Sequence, residues 1–168
     1  MNSADVLADA FGRVKGQVHR VVRGLTPQEL GARIDGYNSI AWLVWHLTRI
    51  QDDHVADVAN LEQRWTDGGW FEEFGLDLDP ADTGYGHDDS EVAEVQVGTG
   101  DLLTGYYDSV HAVTLAYVRD LHDDDLDVVV DTSWDPPVTL GVRLVSVLSD
   151  DLQHVGQAAY VRGIVHRA

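Results

Sequence analysis

Apolar residues recur every three or four positions along four long stretches of the chain, which is the pattern of amphipathic helices. These stretches run from Asp5 to Arg23, from Ile40 to Asn60, from Thr99 to Leu121 and from Thr139 to Val165. The segments between them are rich in Gly, Asp and Pro, which favour turns. The pattern therefore predicts an all-α protein built from four long helices.

Helix start signals agree with this division. Ser39 stands directly before the second stretch and can accept a backbone hydrogen bond as an N-cap. Thr26, Pro27 and Glu29 form a capping-box pattern, which predicts one short helical turn between the first two long helices. Pro136–Pro137 cannot continue a helix but can introduce the fourth one.

The connection between the second and third helices, residues 61–98, is much longer than the roughly 2–8 residues that usually join bundle helices. A connection of that length can cross the roughly 30 Å of a 20-residue helix and join helix ends at opposite poles. We therefore expect a four-helix bundle with a long crossover between helices 2 and 3. Aromatic residues of the crossover are expected to close one end of the bundle; they include Trp65, Trp70, Phe71, Phe74 and Tyr85.

Three polar side chains within the apolar helices can form a metal site. Asp150 and His154 are four residues apart, so on a helix they share one face with Cβ atoms roughly 5–6 Å apart. His46, on the edge of the apolar stripe of the second helix, is the best candidate for a third ligand. Two imidazole nitrogens and one carboxylate oxygen leave a fourth position open on tetrahedral zinc, as in catalytic zinc sites.

Each of these residues also has a plainer interpretation. Taken alone, His46 fits a buried histidine satisfied by a hydrogen bond better than it fits a ligand. Asp150 also fits a solvated surface acid, and we expect its neighbour Asp151 to be one. Two further histidines, His54 and His111, are assigned no functional role: His54 is expected on the exposed side of its helix, and His111 in packing or at the surface.

Two more polar residues share a stripe of the fourth helix with the candidate ligands. Arg143, Asp150, His154 and Gln157 are separated by seven, four and three residues, which places them along one side. Arg143 can pair with a carboxylate of a cofactor or substrate, and Gln157 can orient a ligand or a water molecule. Both also fit structural polar groups. They are the candidate substrate-binding residues, and no catalytic acid or base is identified.

Composition narrows the classes of function. A chain of 168 residues that is 44% hydrophobic can bury one good core, so we expect residues 1–168 to form a single domain. Its 29 acidic and 11 basic residues give a formal net charge of -18, which disfavours binding to nucleic acid or to an anionic membrane surface. No apolar run approaches the roughly 20 residues of a membrane span, and no leader pattern is visible. We expect a cytoplasmic protein.

The chain contains no cysteine. It therefore has no disulfide, no thiolate metal ligand and no cysteine nucleophile of its own. Any thiol chemistry must use a thiol that is supplied from outside.

Several stretches together resemble the DinB-like superfamily, and the similarity covers nearly the whole chain. Within that superfamily the chain is most similar to the mycothiol S-transferases, and more distantly to mycothiol-dependent maleylpyruvate isomerase. The stretches that carry the resemblance are Asn38–His46 (NSIAWLVWH), Arg64–Gly75 (RWTDGGWFEEFG), Asp82–His87 (DTGYGH), Ser133–Thr139 (SWDPPVT) and His154–Gly163 (HVGQAAYVRG).

The resemblance implies a four-helix bundle that holds a divalent metal, usually zinc or nickel. A histidine of the second helix and two residues four apart on the fourth helix would bind it, and these positions correspond to His46, Asp150 and His154. With the family in view, a ligand role for His46 outweighs a packing role. Many relatives carry His or Glu where this chain has Asp150, and the shorter aspartate reaches about one methylene less.

The leading hypothesis for function is a metal-dependent thiol S-transferase. The metal would lower the pKa of a low-molecular-weight thiol, mycothiol, and present the thiolate to a small electrophile. One alternative is a hydrolase that uses a metal-bound water, and another is a non-enzymatic metal-binding or stress-related dimeric module. Apolar strips on the first and fourth helices would allow a homodimer.

Overall fold

The computed structural model describes residues 1–166. Its helices follow the predicted order, with four long ones and several short ones. They are α1 (Ser3–Val22), α2 (Pro27–Leu30), α3 (Ile40–Ala59), α4 (Arg64–Asp67), α5 (Trp70–Phe74), α6 (Asp89–Glu94), α7 (Gly100–Arg119) and α8 (Leu140–Val165). Single 3-10 turns occupy Ile34–Gly36 and Asp123–Asp127, and a small antiparallel hairpin pairs β1 (Val129–Asp131) with β2 (Val138–Thr139). The predicted helical bundle is confirmed.

Side-chain caps explain where the long helices begin. Ser39 Oγ accepts a hydrogen bond from the backbone N–H of Trp42 at 3.1 Å, as its position before the apolar run predicts. Thr26 and Glu29 form the predicted capping box at the start of α2. At the far end of α3, Asn60 adopts a left-handed conformation with φ 53°, which ends the helix and turns the chain into the crossover.

Each long helix packs mainly against two others. α3 lies against α8 and α7, and α1 lies against α7 and α8. The C-terminal halves of α3 and α7 meet side by side, since Gln51 Nε2 donates to Thr114 Oγ1 at 2.7 Å and Tyr117 Oη donates to the Val58 carbonyl at 3.3 Å. These two helices therefore run in the same direction, and a crossover as long as residues 61–98 is needed to connect them.

The crossover is anchored to α3 by buried polar groups. The carboxylate of Asp52 accepts hydrogen bonds from the backbone of Arg64 at 2.9 Å and of Trp65 at 2.7 Å, and from Tyr106 Oη at 2.8 Å. Arg49 has no exposed surface and donates to the Asp82 carbonyl at 3.0 Å. Because these partners satisfy the buried charges, the irregular crossover holds a fixed path.

Aromatic residues of the crossover, which were expected to close one end of the bundle, pack into or against the core with one exception. Trp65 and Phe74 are buried against Tyr106, whereas Tyr85 is 89% exposed. No helix within residues 1–166 combines the length and the apolar character that a membrane span requires.

Candidate metal centre

The three predicted ligands meet in one place. His46 on α3 faces Asp150 and His154 on α8, and one ligand atom from each lies within 4.8 Å of the other two. The imidazole rings of His46 and His154 lie edge to face, with centroids 4.8 Å apart, and Asp150 Oδ1 is 3.4 Å from His154 Nε2. The i,i+4 spacing on α8 and the packing of α8 on α3 therefore bring together the residues that sequence reasoning selected.

Hydrogen bonds orient both imidazole rings for ligation. His46 Nδ1 lies 2.6 Å from the carbonyl oxygen of Thr83. A carbonyl can only accept, so Nδ1 carries the proton and Nε2 keeps its lone pair. His154 Nδ1 lies 2.9 Å from Gln157 Oε1, which fixes the same tautomer. A second partner on the far nitrogen is typical of metal-binding histidines.

The donor set fits a divalent cation. Asp150 Oδ2 is buried and has no hydrogen-bond partner within residues 1–166. A buried carboxylate oxygen without a partner is costly, and a cation between it and the two imidazoles would satisfy it. Two nitrogens and one oxygen are a common catalytic zinc set.

The two histidines differ in basicity. Burial lowers the pKa of His46 below its ordinary value, so this ring is neutral and ready to ligate. Burial also acts to lower the pKa of His154, but hydrogen bonds to Asp150 and Gln157, together with the negative charge of Asp150, outweigh it and raise that pKa. A metal ion must therefore compete with a proton mainly at His154.

A segment of the crossover, Asp82–His87, encloses the centre, and we call it the clamp. Trp42 stacks on His46 with ring centroids 4.6 Å apart and an interplanar angle of 13°. The Trp42 indole N–H donates to His87 Nδ1 at 3.1 Å, and His87 Nε2 donates to Asp82 Oδ2 at 2.9 Å. Burial raises the pKa of Asp82, but the hydrogen bonds from Gly84 and His87 outweigh it and hold this pKa below its ordinary value. The clamp therefore fixes Trp42, and Trp42 fixes the plane of the first ligand.

Gly84 brings the clamp into close contact with the same ligand. A Cβ at this position would lie 2.8 Å from His46 Nδ1, and its φ of 86° favours glycine. The motif DTGYGH contributed to the family resemblance, but sequence reasoning assigned no role to His87 or Gly84. Helical periodicity says nothing about where an irregular segment folds back.

The predicted substrate-binding residues have different surroundings. Gln157 lies between His154 and a neighbouring cavity, which it helps to line. Arg143 pairs with Asp131 of β1 at 2.8 Å and lies 3.3 Å from His54 Nδ1, so it connects the hairpin to α8. The contact of Arg143 and Gln157 with substrate stays a prediction.

The structure contradicts the prediction for Asp151 and agrees with the prediction for His111. Asp151 was expected at the surface, but it has no exposed surface, and neither of its carboxylate oxygens has a partner within residues 1–166. It shares the buried stripe of α8 with Leu144, Leu148 and Val155, so helical position outweighs residue type here. His111 packs in the interior against the ring of Tyr107, which agrees with a packing role.

The chain is similar to known proteins in sequence and in fold. Residues 6–166 match the sequence profile of a family described as mycothiol-S-transferase. The chain is also similar to a conserved protein from Enterococcus faecalis whose crystal structure is known, with a TM-score of 0.92 and 29% sequence identity over 100% of this chain and 99% of that one. No curated protein matches the chain. Both matched regions include all three residues of the candidate metal centre.

Proposed function

The chain belongs to the mycothiol-S-transferase family, and on that premise we propose that it is a metal-dependent transferase that joins a low-molecular-weight thiol, mycothiol, to a small electrophile. The observation that carries the proposal is the convergence of His46, Asp150 and His154, whose ligand atoms lie within 4.8 Å of one another. Three ligands leave a coordination position for a thiol sulfur.

Each residue of the centre has a defined task in this proposal. His46 and His154 present Nε2, because Thr83 and Gln157 hold the proton on the opposite nitrogen of each ring. Asp150 supplies the single negative charge. A bound divalent metal, with zinc as the first choice and nickel as the second, supplies the positive charge that lowers the pKa of a thiol.

The absence of cysteine suits this chemistry. A protein thiol near an activated thiolate could exchange into a mixed disulfide, and this chain offers none. In the transfer itself, the thiol proton goes to solvent, the sulfur forms a bond to the electrophilic carbon, and the leaving group departs with the electron pair of the bond that breaks. His46 is only 5% exposed, and this burial limits the access of water, which would otherwise compete as a nucleophile.

The test combines elemental analysis of the purified protein with a transfer assay that uses mycothiol and monobromobimane. His154→Ala should lose stoichiometric metal and transfer activity, because two ligands from different helices do not complete the site. This variant should stay folded and melt near the metal-free wild type rather than near the metal-loaded protein.

The matched control is His122→Ala, since the side chain of His122 is 89% exposed. It should keep both metal and activity. A His154→Ala protein that is less stable but still fully active would overturn the proposal. Hydrolysis that does not depend on thiol, lost in the same variant, would replace the transferase with a hydrolase built on the same ligands.

A further inference from the structure

A cavity of about 700 Å³ lies beside the candidate metal centre. It is bounded by residues 34–38, which precede α3, and by the last turns of α8. Gln157 lines the cavity, and its Oε1 is 2.9 Å from His154 Nδ1, so one side chain separates the cavity from a metal ligand. The volume is within the roughly 300–1,000 Å³ typical of small-molecule sites.

The walls of the cavity are mostly apolar. Leu43, Val161 and Ile164 form part of its lining, and two tyrosines, Tyr37 and Tyr160, also line it while remaining 75% and 73% exposed. Large exposed rings beside an apolar cavity are typical of a surface that a ligand covers.

Charge narrows the class of ligand. Among the described residues that line the cavity, only Asp35 carries a charge, and that charge is negative. The whole chain has a formal net charge of -18. An anionic ligand would therefore lose its hydration without gaining a cationic partner. An uncharged apolar group has no charge to dehydrate, and the burial of its surface in the cavity is favourable.

Building on the proposed transferase function, we propose that this cavity binds the uncharged, apolar body of the electrophilic co-substrate. The reactive carbon of that co-substrate then lies on the His154 side of Gln157, and its body lies between α8 and residues 34–38. The enzyme therefore prefers electrophiles that carry an aromatic or aliphatic body over small polar ones with the same reactive group.

The test compares iodoacetamide with N-(1-naphthyl)iodoacetamide. Both react in the same way: the thiol sulfur bonds to the methylene carbon, iodide leaves with the electron pair, and the thiol proton goes to solvent. Only the naphthyl compound carries an aromatic ring system that can occupy the cavity. Its KM should be about tenfold lower than that of iodoacetamide or better, which is what burying part of one aromatic ring provides.

Gly156→Leu tests the position of the body. Gly156 lines the cavity and is exposed on α8, and a Cβ there would meet no atom within 4 Å, so leucine fills the cavity without disturbing the packing. Gly12→Leu on α1 is the matched control, because Gly12 is equally exposed and equally open. Leucine favours helix more than glycine does, so both variants should fold.

In Gly156→Leu we expect the KM of the naphthyl compound to rise about tenfold, while metal content and the KM values of iodoacetamide and mycothiol stay unchanged. Gly12→Leu should leave all of these values unchanged. Equal KM values for the two electrophiles in the wild type, together with no effect of Gly156→Leu, would overturn the cavity proposal even if the transferase activity were found.

A binding measurement separates this proposal from the proposed function. The unreactive N-(1-naphthyl)acetamide should bind to the wild type in equilibrium dialysis and about tenfold more weakly to Gly156→Leu. If the compound binds in this way but no thiol transfer is found, the proposed ligand of the cavity is supported and only the proposed transferase function is overturned. If the compound does not bind the metal-loaded wild type, the proposal that the cavity binds an apolar ligand is overturned.

A charged compound and the variant Asp35→Asn test the preference of the cavity for uncharged ligands. A naphthylacetamide that carries a sulfonate should bind more weakly than the neutral compound. Asp35→Asn should strengthen binding of the sulfonate about two- to fivefold and leave binding of the neutral compound unchanged. Asparagine tolerates the left-handed φ of 51° at this position. Equal binding of the charged and neutral compounds to the wild type would refute the preference for an uncharged body.

Discussion

Asp151 is a buried acid without a hydrogen-bond partner within residues 1–166, in the middle of α8. Burial, followed by the negative charge of Asp150, raises the pKa of Asp151 well above its ordinary value. The folded protein therefore holds a proton on this carboxyl at pH values where the unfolded chain has released it. Folding takes up this proton, so the stability that Asp151 contributes is fully present below about pH 4 and is lost as the pH rises.

Asp151→Asn should consequently stabilise the protein at neutral pH. The amide has a similar shape and needs no proton, so the free energy of unfolding at pH 7 should rise, and the gain should shrink towards zero near pH 4. Urea unfolding in the presence of a chelator measures it at both pH values. The exposed Asp124→Asn is the matched control and should show little change at either pH. A loss of stability in Asp151→Asn at pH 7 would contradict the assignment of a neutral acid.

At the scale of single residues, sequence reasoning succeeded where one helical turn determined the geometry. The spacing of Asp150 and His154 placed both on one face, and the polar edge of the second helix offered His46 as the third candidate. The family resemblance then favoured a ligand role for His46 over a packing role. Sequence reasoning failed for Asp151, because residue type was given more weight than position in the buried stripe. Thr83 could not be selected, since its contribution is a backbone carbonyl, which any residue has.

At the scale of elements, the clamp orients His46, the first residue of the candidate metal centre. Its backbone carbonyl at Thr83 orients His46, and its side chains Asp82 and His87 hold the indole of Trp42 that stacks on the same ring. The first ligand is therefore positioned by the crossover as much as by its own helix.

Two glycines of the clamp provide a matched test. Gly84 and Gly86 have φ angles of 86° and 80°, so alanine causes similar backbone strain at either position. Only at Gly84 would the new Cβ meet the centre, at 2.8 Å from His46 Nδ1; at Gly86 it would meet no atom within 4 Å. Gly84→Ala should weaken metal binding about 10- to 100-fold relative to Gly86→Ala, as outer-shell changes typically do.

Competition with a chromophoric chelator measures the metal affinities of the two variants. Gly84→Ala should also lose more thermal stability than Gly86→Ala in the metal-free state, because its Cβ would lie 2.9 Å from the ring of Trp45 as well. Metal affinity is therefore the measurement that tests the clamp. Equal metal affinities for Gly84→Ala and Gly86→Ala would show that the clamp does not position His46.

The sequence predicted the long helices closely, since Ile40 to Asn60 became Ile40–Ala59 and Thr139 to Val165 became Leu140–Val165. The spacing of apolar residues determines which residues form these helices. The crossover was predicted only as a length. Its path depends on long-range contacts such as those of Arg49 and Asp52, which no local pattern contains.

On the scale of the whole molecule, one set of buried apolar residues connects α1, α3, α7 and α8 with the crossover. Trp65 and Val95 of the crossover belong to this core. We therefore predict that the chain unfolds as a single cooperative unit, in agreement with the expected single domain. Tryptophan fluorescence and far-UV circular dichroism should give coincident urea transitions. A separate early transition in fluorescence alone would indicate that the crossover unfolds independently.

The net charge of -18 is the other property of the whole molecule. Folding brings these charges close together, and the repulsion between them is greater in the compact state than in the unfolded chain. The exposed ion pairs, such as Arg13 with Asp9, offset little of it. Salt screens the repulsion, because the Debye length falls from about 10 Å at 0.1 M to about 3 Å at 1 M.

Raising the salt concentration from about 0.05 to 0.5 M should therefore increase the Tm of the metal-free protein, by about 2–4 °C for each kcal/mol of repulsion removed. Differential scanning fluorimetry in potassium chloride and in choline chloride measures the effect. Screening by ionic strength gives the same shift with both salts, whereas a cation that binds a particular acidic cluster raises the Tm with potassium alone. A Tm that falls with salt would mean that attractive ion pairs outweigh the repulsion, and the excess of acidic residues would then not oppose folding.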